Sequence, residues 1–325
     1  MPAPVLVTAI AKNYVPRARV LAGSLARHHP ELRLQALLTD EIEGRFDPAT
    51  EPFSIIALEQ LAIPDLAAFR RRYSRKQIAA AAKPFLLEHA LDLAGSRGAP
   101  AAIFLDPDVL VLSSLARLFD HVARHAVTLT PHLLEPLAGA DRFARELVIL
   151  QAGTLNAGFV GVTETPSARA FLHWWQRRVE RHCRHDVAEG IYYDQRWLDL
   201  APVFFNGVSI LRDPACNVAH WNLPERSLRV EGGEVLVDGR PCLFFHFSGF
   251  EPGRSGRVTR YSPRLDMSQL GPAAELFRRY GQMLVAAGYD EAMSWPYAYD
   301  SRPRRIVEAG VRAAASLMRR RGGRP

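Results

Sequence analysis

In the first half of the chain, short apolar runs alternate with stretches whose apolar residues recur every three or four positions. The runs at 4–10 (PVLVTAI), 32–40 (LRLQALLTD), 53–58 (FSIIAL) and 101–106 (AAIFLD) have strand length. Between them, the segment from Pro16 to His28 reads as a helix opened by proline, and a longer helical pattern runs from about Arg75 to Leu93. Strands separated by helices predict βαβ units and a mostly parallel sheet flanked by helices. In such sheets ligands sit beyond the carboxyl ends of the strands.

The second half is less regular. Residues 114–124 pattern as a helix, 126–131 as a strand, and 154–162 as a strand with glycines inside it. Thr165 to His182 carries Phe171, Leu172, Trp175 and Val179 at helical spacing. Residues 227–239 have the form of a hairpin around Gly232-Gly233, and 242–250 reads as a buried strand ending in a glycine turn. With no internal repeat and no long linker, the simplest partition is one α/β domain over residues 1–262 and a helical C-terminal extension over 263–325.

Composition narrows the class. The 325 residues are 48% hydrophobic and 23% charged, ordinary for a soluble globular protein. Cys183, Cys216 and Cys242 form no CxxC pair, which argues against a disulfide framework and for a reducing compartment. The opening MPAPVLVTAIAKNY has no basic leader and reads as a core strand instead of a signal peptide. No run of about 18 apolar residues offers a membrane span. A cytoplasmic location is therefore expected. The net charge of +7 is concentrated at one end: residues 302–325 hold eight arginines and one acid, which leaves the rest of the chain with 33 basic and 33 acidic residues. A neutral body offers no basic face for nucleic acid. The tail from Ile306 to Met318 reads either as a solvated terminal helix or as a helix against the anionic inner face of a membrane.

The chemistry centres on Ile103–Val111, IFLDPDVLV, where two carboxylates interrupt an apolar run. Burying carboxylates is costly without compensation. Residues i and i+2 of an extended segment share a face, so Asp106 and Asp108 are expected to point the same way and to need a shared proton or a cation. The competing reading is an ordinary strand-end turn with side chains bonded to the backbone. Three further pieces stand apart in the sequence. Asn156-Ala157-Gly158 lies within a strand, where glycine permits close approach of a ligand. Asp194-Gln195 opens a helix, with Asp194 readable also as its cap. His246 ends an apolar strand, before Gly249, and is readable also as a core histidine. The chain has only three lysines, Lys12, Lys76 and Lys83, and Pro84 should break the helical pattern beside the last of them.

LDPDVLV resembles the DxD motif of GT-A-fold glycosyltransferases. NAGFVGV, DQ and HFSG follow in the order and at separations similar to those of the retaining family-eight enzymes, the group of glycogenin and the bacterial lipopolysaccharide galactosyltransferases. Lys12-Asn13-Tyr14 looks like that family's uridine-contacting turn, and the match covers roughly residues 4–250. The resemblance implies a GT-A, Rossmann-like fold and a role in polysaccharide biosynthesis or related glycosylation. The activity it implies is metal-dependent transfer of a hexose from a UDP-sugar to a glycan, lipid-linked or protein acceptor, with retention. Mn²⁺ or Mg²⁺ would be held by Asp106, Asp108 and His246, a donor set that suits a hard divalent ion, and Asp106 would also reach the ribose. Thr8, Ala9, Asn13, Tyr14, Lys83, Gly249 and Arg254 would contact the donor. Asn156, Asp194 and Gln195 would surround the transferred sugar. Gln195 is nearest the anomeric carbon in the family; an amide is a poor nucleophile, so electrostatic and positioning roles are expected for it.

The chain departs from the family after His246, where a lysine-proline-tryptophan run that clamps the diphosphate is missing. Arg254, Arg257 and Arg260 follow instead, and one of them is expected to supply the charge. Asn217-Val-Ala-His220-Trp221-Asn222 is a polar and aromatic cluster readable as an acceptor wall or as packing. Haloacid-dehalogenase phosphatases also use DxD, but with a lysine downstream, and none follows Lys83 here. The remaining alternative is a protein of this fold that binds sugar nucleotide or glycan, or scaffolds an assembly at a membrane, without turnover.

Overall fold

The computed structural model describes residues 3–253, 256–261 and 265–300. The first half forms β1 (Val5–Ile10), α1 (Val15–His28), β2 (Gln35–Leu38), β3 (Ser54–Ala57), α2 (Leu66–Arg72), α3 (Arg75–Ala81), α4 (Lys83–Ser96), β4 (Ala101–Leu105) and β5 (Val109–Val111). Then come α5 (Ala116–Val122), β6 (Val127–Pro131), α6 (Arg142–Ala152), β7 (Leu155–Thr163), α7 (Pro166–Val179), β8 (His185–Asp186), β9 (Ile191–Tyr192), α8 (Ala201–Phe204) and β10 (Val208–Ile210). The hairpin β11 (Leu228–Glu231) and β12 (Glu234–Val237), β13 (Arg240–Pro241), β14 (Phe244–His246), α9 (Ala273–Ala286) and α10 (Tyr289–Met293) complete the described chain.

Seven strands make the central sheet in the order β10-β6-β7-β4-β1-β2-β3. All neighbours are parallel except β7, which runs antiparallel to both β4 and β6. The expected fold class, a mixed and mostly parallel GT-A sheet flanked by helices, is what the chain adopts. β1 shows why: every one of its residues is buried, as a parallel strand covered on both faces must be. Val5, Val7 and Ala9 pack on one side with residues of α4 and α7, while Leu6 and Ile10 pack on the other with α1.

The helical pattern from Arg75 to Leu93 divides beside Pro84, as expected: α3 ends before Ala82, and Pro84 sits in the first turn of α4 with no N–H to donate into α3. One expectation needs correction. The stretch 242–250 contributes only the three-residue β14, which leaves the central sheet and pairs antiparallel with β5, placing His246 opposite Val109. A third apolar cluster then joins β14 to α9: the Phe247 ring stacks on Tyr280 with centroids 3.9 Å apart and meets Phe277 edge-on at 4.9 Å. Helices beyond residue 262 thus share a core with the strand that carries His246. The arginine-rich tail, with its expected membrane contact, lies outside the described residues.

Candidate active site

Asp106 and Asp108 do not lie in an extended segment. They occupy the turn between β4 and β5, and the turn, not strand alternation, brings them together. Asp106 N donates to Gly158 O at 2.8 Å, and Asp108 O accepts from Phe247 N at 2.8 Å, so the turn is tied to β7 and to the segment after β14. Because β7 runs antiparallel, its first residues stand at the same edge of the sheet as the carboxyl ends of β1 and β4.

The two carboxylates meet His246. Its Nε2 is 3.1 Å from Asp108 Oδ1 and 3.7 Å from Asp106 Oδ2. One ligand atom from each residue falls within 4.8 Å of the others. Ligands about 2.1 Å from an octahedral ion stand about 3 Å apart at adjacent vertices, so this triangle fits a small divalent ion. The imidazole is also set in the right tautomer. Nδ1 lies 3.2 Å from Asn217 Oδ1, which can only accept, because Asn217 Nδ2 donates to Thr130 Oγ1 (2.8 Å) and Asn156 Oδ1 (3.0 Å). Nδ1 therefore carries a proton; Nε2, turned to the carboxylates, donates to Asp108 while the ring is charged, and its lone pair becomes available to an ion once that proton leaves. Burial opposes a charge on His246, but Asp108 and Asp106 outweigh it and raise its pKa. Burial likewise opposes ionisation of Asp108, yet His246 beside it and Arg17 hold it well below the usual carboxylate range.

Behind this triangle lies a buried cation. Lys83 Nζ is 3.1 Å from Asp106 Oδ1, 3.1 Å from Asp194 Oδ2 and donates to Ala157 O at 3.0 Å. Burial works against the charge on Lys83, but the two carboxylates raise its pKa above the ordinary lysine value. Burial raises the pKa of Asp194, and Lys83 opposes it. The Asp194 side chain makes no helix cap. Asn156 and Gln195 form a locked pair of amides. Asn156 Oδ1 accepts from Gly158 N (2.9 Å), and its Nδ2 reaches His132 Nε2 (3.2 Å) and Gln195 Oε1 (3.1 Å). Gln195 Oε1 also accepts from Ala157 N at 3.1 Å, and Nε2 donates to Ala152 O at 3.0 Å.

Ala9, Asn13, Tyr14, Lys83, Asp106, Asp108, Asn156, Asp194, Gln195 and His246 all line one cavity of about 430 Å³, within the range of small-molecule sites. Some expected donor contacts fall elsewhere. Thr8 is enclosed within β1, outside the cavity wall that Ala9 and Ile10 at the strand's carboxyl end line. Gly249 forms the turn after β14 at φ +72°, where a Cβ would stand 2.6 Å from the Tyr261 ring, and it also misses the wall. Lys12 turns away to an ion cluster with buried Asp40 (3.5 Å) and exposed Glu43. Arg254 lies outside the described residues. Of the other two arginines, Arg260 lines the cavity and Arg257 does not.

Lys76 and His132 are wall residues that the sequence reading did not assign to the site, whereas Arg260 and Trp221 were among its candidates. Lys76 Nζ donates to Tyr261 Oη at 3.0 Å, and Arg260 Nη2 lies 3.2 Å from the same oxygen, so two cations converge on one phenol at the cavity. Only the scarcity of lysine marked Lys76 beforehand. His132 follows β6 with no motif around it. Trp221 presents its edge to His246 and to His132, with centroids 5.2 Å apart in each case. The 217–222 cluster thus braces the imidazole.

The strand order, the carboxylate turn after β4 and the cavity beyond the strand ends define an α/β fold of the glycosyltransferase type. The apo form of the glycosyltransferase GlyE from Streptococcus pneumoniae TIGR4 matches 91% of this chain and 65% of its own, with a TM-score of 0.51 at 15% identity. The galactosyltransferase LgtC, in complex with donor and acceptor sugar analogues, matches 86% of this chain and 95% of its own at 17% identity, with a TM-score of 0.46. In sequence, the chain is 26% identical over 251 residues to the uncharacterised protein YfnD of Bacillus subtilis (strain 168), covering 75% of this chain and 76% of that protein. It is 33% identical to YfnF of the same organism over 99 residues, 30% of this chain and 33% of that protein. No family model matches. Among the described residues no helix is long and apolar enough to cross a membrane.

Proposed function

We propose that this protein is a metal-dependent glycosyltransferase that moves a hexose from a UDP-sugar to an acceptor hydroxyl with retention. The observation that carries this reading is the convergence of Asp106, Asp108 and His246 at the cavity beside the carboxyl ends of β1 and β4. A divalent ion bound there supplies neutralisation of the charge that grows on a departing diphosphate. In the transfer the acceptor oxygen bonds to the anomeric carbon as that carbon's bond to the diphosphate oxygen breaks, and the displaced UDP takes the hydroxyl proton.

The chain's own residues set the stage for this. Asn13 and Tyr14 form the nucleoside end of the cavity, and Asn13 Oδ1 is buried there without a partner within the protein. Lys76 and Arg260 bring positive charge to the cavity without the missing lysine run. Lys83 holds the Asp106 and Asp194 side chains in place through its contacts at 3.1 Å with each. The interlocked amides of Asn156 and Gln195 hold the sugar end of the wall rigid, which suits positioning better than nucleophilic attack. Retention rests on the order of the four motifs. The acceptor is a glycan, a lipid-linked sugar or a protein.

The test is release of UDP from a panel of UDP-sugars with Mn²⁺ or Mg²⁺. Asp108→Ala and His246→Ala should each lower turnover by about 10²-fold or more while circular dichroism stays native. Near-normal turnover in either variant overturns the metal assignment. Donor binding without any UDP release by the wild type favours the binding-only alternative.

A further inference from the structure

Lys76, on α3, is a cation that pairs with no carboxylate among the described residues. Its Nζ lies 4.4 Å from the centre of the Tyr193 ring and 5.0 Å from that of Tyr261, and it donates to Tyr261 Oη at 3.0 Å. Arg260 Nη2 donates to the same oxygen at 3.2 Å, while its Nη1 reaches Glu251 only at 3.5 Å. All four side chains, Lys76, Tyr193, Arg260 and Tyr261, line the cavity. Lys83 is different, because it is already held between Asp106 and Asp194. Two cations gathered on one neutral oxygen keep their charge unanswered, and an anion in that place would answer both.

The position of the pair says which anion. Arg260 also reaches the Tyr14 hydroxyl, at the nucleoside end. Lys76 lies over Tyr193, whose neighbour in the chain is Asp194 at the sugar end. The Tyr261 ring covers Gly249, in the turn after His246, where a Cβ would stand 2.6 Å from it. The two cations thus stand between the ends of the cavity and beside the carboxylate and imidazole cluster, where the diphosphate of a nucleotide sugar has to run. We propose that Lys76 and Arg260 hold the donor's diphosphate, and that Tyr261 Oη keeps the place of a phosphate oxygen until the donor enters. This rests on the transfer reading above and adds the residues, from two distant elements, that grip its leaving group.

The exchange of phenol for phosphate is favourable. A hydrogen bond from a cation to an anionic oxygen is roughly twice as strong as one between neutral groups, and a phosphate offers each cation an oxygen of its own. Burial opposes the charge on Lys76, but the Tyr261 oxygen it bonds raises its pKa above the ordinary lysine value, so the amine is charged at neutral pH. Tyr261 is 45% exposed, so its ring can swing outward without leaving a core. The lysine sits upstream of the carboxylate pair, on a helix, and a search of the segment after His246 passes over it.

The test titrates the full chain, with Mn²⁺ present, against UDP by calorimetry and against uridine by ligand-observed NMR. Lys76→Met should weaken UDP about 10- to 100-fold and leave uridine unchanged, with an unaltered melting temperature because Lys76 is exposed. Tyr261→Phe, which removes the oxygen that both cations bond, should tighten UDP about 3- to 10-fold. Unchanged UDP affinity in Lys76→Met overturns the pair and leaves its charge to an anionic acceptor. Equal losses for UDP and uridine overturn it as well, because Lys76 then shapes the base wall. Weaker UDP binding in Tyr261→Phe overturns the placeholder, since the phenol then orders the cations instead of occupying their ligand's place. Because binding needs no turnover, a protein that releases UDP from UDP-sugars yet ignores Lys76→Met keeps the transfer reading and loses this one. Binding of UDP that depends on Lys76 in a protein without turnover keeps the pair and overturns transfer. A wild type that binds neither probe overturns both.

Discussion

Gly158 has no side chain because His246 fills the place where one would be. A Cβ there would lie 2.3 Å from the imidazole Cε1, 2.6 Å from Nδ1 and 2.7 Å from Asn156 Oδ1, distances that force the ring aside. Gly158→Ala should therefore weaken Mn²⁺ binding about 10- to 100-fold, read by titration against the wild type, and unchanged affinity would show that the imidazole is not a ligand. Lys83 offers a different test. Removing one partner of a buried ion pair leaves an uncompensated charge and costs about 3–5 kcal/mol, so Lys83→Met should destabilise strongly. Adding Asp194→Leu removes one orphaned carboxylate, and the double variant should recover part of the loss in urea unfolding. Strict additivity would mean that the 3.1 Å contact carries no coupling. Motif reading named Gly158 for ligand approach; the crowding of a side chain against it follows from β14 crossing beside β7, which no local pattern records.

At the scale of elements, the site depends on pieces that turn instead of continuing. The carboxylate turn leaves β4 for β5, β14 leaves the sheet to meet β5, and α4 restarts at Lys83 because Pro84 ends the continuity with α3. Each break places one functional side chain. Proline and the carboxylate pair were visible in the sequence as interruptions. The pairing of β5 with β14 was not, since strands separated by more than 130 residues carry no mutual mark. α9 belongs to this scale as well. Its Phe277 is buried against Phe245, Phe247 and Phe250, so Phe277→Ala should cost about 3–5 kcal/mol within one cooperative urea transition. A separate early transition would make residues 263–300 an independent unit.

Across the whole molecule, the buried histidines on the cavity side tie stability to pH. Burial pushes His132 down to about 4 from an ordinary 6.5, and burial together with His246 and His132 pushes His220 down to about 3. Below pH 6.5 the unfolded chain takes up a proton that folded His132 refuses, so its contribution is complete above 6.5 and is lost as the pH falls toward 4. Between pH 7 and pH 5 the wild type should lose about 2 kcal/mol more stability than His132→Gln, measured by urea unfolding at both values. Parallel losses would place His132 in contact with water.

Period and composition by themselves determined the layered α/β architecture, because burial on both faces of a parallel strand and the spacing of helical apolar residues are written locally, as in β1 and α7. They also determined where a carboxylate pair, an amide and an imidazole stood in the chain. Only the tertiary structure decided that these share one cavity and that Asn217 sets the imidazole's tautomer. It also decided that Lys12 and Thr8 turn away from the cavity while Lys76 and Arg260 line it. Those outcomes depend on the crossing of distant strands and on which direction a turn sends a side chain, and neither leaves a repeat, a run or a spacing in the sequence.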